Sequence, residues 1–153
     1  MPNSPEFTDL SECPHSGRVL AIDPGTKRIG LAVSDETQTI PRPLPLIERK
    51  SWKKLLTDIQ NIVSEFDAKA LVIGLPYNSD GGESEMSAEA RDMARKFQLS
   101  LSIPVYLQDE RATSYEAKGR LWERGADLTD TKKFVDGEAA AIILSDFLER
   151  LSG

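Results

Sequence analysis

Short apolar runs alternate with apolar stripes of helical spacing along this chain. Arg18 to Ile22 is a run stopped by Asp23-Pro24-Gly25, and Ile29 to Ser34 is a second run entered through Gly30. Two β-rich runs joined by a Pro-Gly turn predict a hairpin. Thr39 to Ile47 carries Pro41, Pro43 and Pro45 at every second position, which forbids a helix and suits an extended edge segment. From Trp52 the rhythm changes: Leu55, Leu56, Ile59, Val63 and Phe66 form a helical stripe with one buried face.

Ala70 to Leu75 is a continuous apolar run of the kind buried on both faces of a sheet, ended by Gly74-Leu75-Pro76. A polar loop, Tyr77 to Glu83, precedes a helix marked by Met86, Ala90, Met93, Ala94 and Phe97. Pro104 opens a strand through Leu107 that ends at Asp109-Glu110-Arg111. Thr113-Ser114-Tyr115-Glu116 has capping-box spacing and predicts a helix that stops near Gly125. A last helix is expected from about Asp136, with Ala140, Ile143, Leu144, Phe147 and Leu151 on one face. Strands followed by alternating helix and strand predict a mixed α/β sheet with helices packed on it.

At 153 residues the chain fits one domain that needs no disulfide or metal staple. Residues 1 to 17, rich in Pro, Ser and Glu, show no periodic apolar face and are expected to be an unfolded leader before a single domain at 18–153. No run approaches 18 uncharged apolar residues and the N-terminus lacks signal-peptide regions, so a soluble cytoplasmic protein is expected.

Chemistry is narrowed by what is scarce. Cys13 and His15 are the single cysteine and histidine, too few for a Cys/His zinc site, and both fall in the leader. Reactions must then run on carboxylates, cations, hydroxyls or a hard cation held by oxygen ligands. Net charge is −6, which by itself disfavours a nucleic-acid partner. The leader contributes Glu6, Asp9 and Glu12 and no Lys or Arg, so without it the charge is −3, with basic clusters at Lys27-Arg28, Arg49 to Lys54, Arg91 to Lys96 and Arg111 to Arg124. Nucleic acid remains open as a partner.

Three acidic positions stand at predicted element ends: Asp23, Asp109-Glu110 and Asp136. Strand ends and helix starts that meet at one sheet edge are where α/β proteins build sites. Carboxylates converging there repel unless a divalent cation neutralises them. Each also has a plain structural explanation: a turn residue for Asp23, a helix-start residue favoured by the macrodipole for Asp136, and a solvated or Arg111-paired charge for Asp109. Gly25-Thr26-Lys27-Arg28-Ile29-Gly30 lacks the Gly-Lys-Ser/Thr ending of a P-loop. It offers backbone N–H groups and two cations beside a carboxylate, either for a phosphodiester or as a solvated hairpin.

Arg18 to Ala32, with its Asp-x-Gly-Thr-Lys-Arg-Ile-Gly-Leu-Ala core, resembles the opening motif of the YqgF/RuvX family. Gly74-Leu75-Pro76 with Asp80-Gly81, then Asp109-Glu110-Arg111, then Val135-Asp136 with Ala139-Ala140 and Ile143-Leu144 follow in the family's order. The resemblance implies an RNase H-like fold, a mixed five-stranded sheet flanked by helices. Members are described as Holliday-junction resolvases or as nucleases that process the 5′ end of pre-16S ribosomal RNA. It also implies catalytic, metal-binding carboxylates at Asp23, Glu110 and Asp136. Successive strand residues face opposite ways, so Asp109 and Glu110 cannot both be ligands; the resemblance favours Glu110, with Asp109 in reserve. Ala112 departs from the larger apolar residue usual after this Asp-Glu-Arg motif.

The function expected is therefore a metal-dependent endonuclease, with Mg²⁺ or Mn²⁺ on the three carboxylates and Thr26, Lys27, Arg28 and Arg111 on substrate phosphates. Processing of pre-16S rRNA leads, with four-way DNA as the alternative substrate. Two rivals are a nucleotide-binding fragment of the actin and sugar-kinase type, from the Asp-x-Gly-Thr turn, and a non-catalytic RNA- or protein-binding module.

Overall fold

Hydrogen-bond pairing arranges the strands in one five-stranded sheet of order β3-β2-β1-β4-β5. The structure is a computed structural model and describes residues 10–25, 27–76, 84–109 and 128–152. β1 (Val19–Pro24) and β2 (Arg28–Ser34) form the expected antiparallel hairpin, and β3 (Pro41–Glu48) adds to β2 antiparallel. β4 (Ala70–Leu75) and β5 (Val105–Asp109) continue parallel to β1 on its other side. The sheet is mixed, as expected, and its three parallel strands end at one edge.

Proline sets the place of β3. It cannot donate to a ladder, so a strand with Pro41, Pro43 and Pro45 takes the sheet edge, and its register against β2 shifts between Ile29 and Leu31. β4 is buried along its whole length, which is why its sequence is apolar without alternation.

Helices cover both faces. α1 (Trp52–Phe66) starts on Ser51, whose hydroxyl accepts from the Lys54 N–H, and stops at Asp67 in the left-handed region. α2 (Glu85–Ser100) starts with a reciprocal Ser84–Ser87 capping box. The two pack Leu55, Ile59, Ala90, Met93, Ala94 and Phe97 on the sheet face made by Leu20, Ile22, Leu31, Leu71, Ile73 and Leu107. Met86 departs from the expected stripe: in the first turn of α2 it is 44% exposed.

α3 (Leu128–Ser152) covers the other face, packing Ala140, Ile143, Leu144, Phe147 and Leu151 on Val19, Ala21, Ala32, Ala70, Val72 and Tyr106. It begins eight residues before the expected start at Asp136. Thr129-Asp130-Thr131-Lys132 is polar, and an apolar stripe cannot reveal helix that has none. The helix expected over 113–125 and the loop at 77–83 lie outside the described residues.

The leader boundary needs correction. Leu10–Glu12 form a 3-10 turn and Cys13, 1% exposed, packs in the α3-side core with Val19, Tyr106 and Phe147. Burial pushes the Cys13 thiol pKa up, partly offset by a Tyr106 hydrogen bond. Gln38 donates to the carbonyls of Pro14 and Gly17 at 2.9 and 3.0 Å. Composition missed this because, among the described residues of the leader, Leu10 and Cys13 carry the apolar contact, too few to make a period. Residues 1–9 lie outside the described residues.

Candidate active site

Alternation along the strands decides which candidates share a face. Leu20 and Ile22 of β1 belong to the α1/α2 core, and Val19 and Ala21 to the α3 core. Asp23, next in the second series, therefore lies on the α3 face. It is half-buried, and it sits within β1 paired to Gly30 of β2, so the turn-residue explanation does not apply.

Both strands beside β1 place a glycine next to Asp23. Ile22 pairs with Ile73, so the following residue of β4 on the α3 face is Gly74, opposite Gly30 on the other flank. Neither flanking position contributes a side chain to the volume beside the carboxylate. One strand further, Gln108 pairs with Gly74, about 10 Å from Asp23 across two strand spacings. Arg150 of α3 fixes Gln108 by donating to its Oε1 at 2.6 Å and to the Leu107 carbonyl at 3.1 Å. Gly30, Gly74 and Gln108 had no place in the expected site, although a glycine inside a strand is itself a signal of close approach.

Asp109 pairs with Leu75 and follows Val105 and Leu107 onto the α1/α2 face, opposite Asp23. The reserve ligand is thus on the wrong side of the sheet. Glu110, Arg111 and Thr26 lie outside the described residues. Asp136 lies inside α3, about two turns from its start, so the helix-start explanation does not apply; its side chain is outside the described residues. Position 136 is four residues before Ala140 and seven before Ile143, on the register of the stripe that packs against the α3 face. Glu138, 8% exposed, is a buried acid on the same helix that the sequence did not flag.

The cations divide by position. Arg28, half-buried, starts the β2 series Arg28, Gly30, Ala32 that shares the Asp23 face, while Lys27 is exposed. His15 lies with Gly17, Arg18 and Lys69 around a cavity of about 660 Å³ where β1 and β4 begin, the edge opposite Asp23. It cannot act on chemistry at the strand ends.

Among the described residues no three His, Cys, Asp or Glu side chains group to hold a metal. Asp23 itself fits a hard cation: an oxygen donor, half-buried, with glycine on both flanks.

The RuvX family, described as Holliday junction resolvase, matches residues 17–150. A protein of Anaeromyxobacter dehalogenans named "Putative pre-16S rRNA nuclease" is 39% identical over 133 residues, covering 87% of this chain and 97% of that one. One of the same name from Klebsiella pneumoniae is 35% identical over 135 residues, covering 88% and 98%. Among solved structures, T. thermophilus RuvC in complex with a Holliday junction substrate superposes with a TM-score of 0.55 at 18% identity, covering 88% of this chain and 95% of that one. The fowlpox virus resolvase with Holliday junction DNA gives 0.54 at 12% identity, covering 89% and 99%. The sheet and its helices thus have the RNase H-like fold that the sequence leads one to expect. Among the described residues no helix is long and apolar enough to cross a membrane.

Proposed function

The chain belongs to the RuvX family, and from that premise we propose a cytoplasmic, metal-dependent endonuclease that hydrolyses nucleic-acid phosphodiesters and processes the 5′ end of pre-16S rRNA. The observation that carries this reading is Asp23, half-buried on the α3 face with glycine on each side at the edge where three parallel strands end. The RNA substrate follows the name borne by the relatives at 35–39% identity.

Asp23, Glu110 and Asp136 would hold Mg²⁺ or Mn²⁺ through carboxylate oxygens. When bound, the ion supplies positive charge for the phosphate and makes water a stronger acid. Asp109 is passed over as a ligand because of the face it occupies. Arg28, on the Asp23 face, orients the phosphodiester, and Lys27 extends the contact toward solvent, with Thr26 and Arg111 assigned to the same task. Such contacts position the backbone without reading bases, so recognition rests on substrate shape. With His15 at the far edge, proton transfer passes through water and the substrate itself.

A four-way DNA junction is the second reading, favoured by the family description and by the fold shared with two junction-bound resolvases. The purified full-length protein is tested on pre-16S rRNA and on four-way junctions in parallel, with Mn²⁺, with Mg²⁺ and with chelator. Chelator-sensitive cleavage near the 5′ end of the RNA is expected. Cleavage of junctions alone replaces RNA by branched DNA, and cleavage that survives chelation removes the metal from the mechanism.

A further inference from the structure

The turn after Asp23 is held from outside its own hairpin. Within the hairpin, the Gly25 N–H donates to the Arg28 carbonyl at 3.1 Å, and a Cβ at Gly25 would stand 2.3 Å from that oxygen, so the closure requires glycine. Arg49, just past β3, adds two bonds from a different element. Its backbone N–H donates to the Lys27 carbonyl at 2.8 Å, and its Nη1 donates to the Gly25 carbonyl at 2.9 Å. The other arm of the same guanidinium pairs with Glu89 of α2. Pro24, Gly25, Arg49, Met86, Glu89 and Ala90 line the small cleft where these elements meet.

We propose that Arg49 and Glu89 form a clamp that positions Gly25 and Lys27 after β1, making Arg49 a positioning residue for the phosphate contacts at Lys27 and Arg28. The inference rests on the reading of that turn as a substrate contact. A planar guanidinium suits the task because one fork can bond a carbonyl and a carboxylate at fixed angles, which a lysine ammonium on a flexible stem does not reproduce. The clamp has a direct competitor as an explanation of Arg49: a cation next to the site could bind phosphate itself, with Glu89 only restraining it. The two make opposite predictions for Glu89→Gln. A clamp without its anchor loosens the turn and weakens binding, whereas a freed phosphate-binding arginine strengthens it and steepens the salt dependence.

The test uses full-length protein with Arg49→Ala, Arg49→Lys and Glu89→Gln. Exchange of the Gly25 amide is followed by NMR, and affinity for pre-16S rRNA is measured in chelator across a salt series. The clamp predicts that all three variants speed Gly25 exchange, about tenfold for Arg49→Ala, and that all three weaken binding, with Arg49→Lys resembling Arg49→Ala. Unchanged Gly25 exchange in Arg49→Ala and Glu89→Gln overturns the proposal, as does tighter binding by Glu89→Gln or full RNA binding by Arg49→Lys. If the wild-type chain binds and cleaves none of the nucleic acids tried, the nuclease reading fails while Gly25 exchange still decides whether the clamp exists.

Discussion

The two faces of the sheet are made by alternate residues of the same strands, yet they are built differently. Toward α1 and α2, the parallel strands present Leu20 and Ile22, then Leu71, Ile73 and Leu75, then Val105 and Leu107. Toward α3 they present Val19, Ala21 and Asp23, then Ala70, Val72 and Gly74, then Tyr106 and Gln108. Large branched side chains fill the first face up to Leu75, the last residue of β4, and lock the strands in place. On the second face small residues let a long helix approach, and the row ends in a carboxylate, a glycine and a carboxamide. One face supplies rigidity, and the other uses it to carry the proposed site, whose geometry would have to stay fixed.

The largest effect expected is on the α3 face. Asp23→Asn keeps the shape and removes the charge, so cleavage should fall by orders of magnitude while the melting temperature holds or rises as repulsion among acids is relieved. Asp136→Asn should behave alike if it is the third ligand. Comparing melting temperature with and without Mn²⁺ beside cleavage checks both, and full activity in either variant removes that carboxylate from the mechanism.

The converse belongs to the opposite face. Ile73 is fully buried between β1 and β5 under α1 and α2, and Ile73→Ala should cost about 2–5 kcal/mol of stability. Per folded molecule, metal-dependent cleavage should stay within a few-fold of wild type, read by denaturant unfolding and by activity well below the melting point. Loss of cleavage without loss of stability would show that the two faces do not divide their work.

Residues 10–17 tie the α3 face to the start of β1, so their removal sits between these extremes. Deleting residues 1–16 takes Cys13, bonded to Tyr106, and Leu10 out of the α3-side cluster, which should lower stability by about 1–3 kcal/mol. Cleavage at the opposite edge should persist in the folded fraction. An unchanged unfolding midpoint would return these residues to the dispensable leader that their composition suggests.

Strong local patterns were readable from the sequence. The prolines of β3 excluded a helix, and the unbroken apolar run of β4 placed it inside the sheet. The stripe from Ala140 to Leu151 found the packed half of α3. What escaped notice depended on neighbours that only pairing brings together. Gly30 and Gly74 are 44 residues apart in sequence and become partners of the site only by flanking Asp23 in the sheet. Arg49 read as one charge of a basic cluster, because nothing in Glu48-Arg49-Lys50 shows that it bonds Gly25. The polar first turns of α3 carried no stripe at all, which misplaced Asp136 at a helix start.

The smallest effect expected concerns Asp109, and it tests the comparison most directly. Asp109 and Glu110 are adjacent in a motif whose resemblance favours the second as a ligand, and both are acids able to bind a hard cation. The strand gives a physical reason to separate them: Asp109 pairs with Leu75 and follows Val105 and Leu107 onto the α1/α2 face, so its carboxylate leaves the sheet on the side opposite Asp23. A carboxylate there cannot join Asp23 on one ion without breaking the pleat at the end of β5. Asp109→Asn should therefore leave Mn²⁺ affinity unchanged and cleavage within about threefold of wild type, since a half-buried strand-end residue that holds no metal can alter stability without touching the reaction. Glu110→Gln, measured beside it by titration calorimetry with Mn²⁺ and by cleavage, should weaken both by at least about tenfold, in line with losing a metal-binding group. If Asp109→Asn is the variant that loses metal and activity, the strand must twist or bulge at its end, and the assignment of faces to functions fails at the position where the site begins.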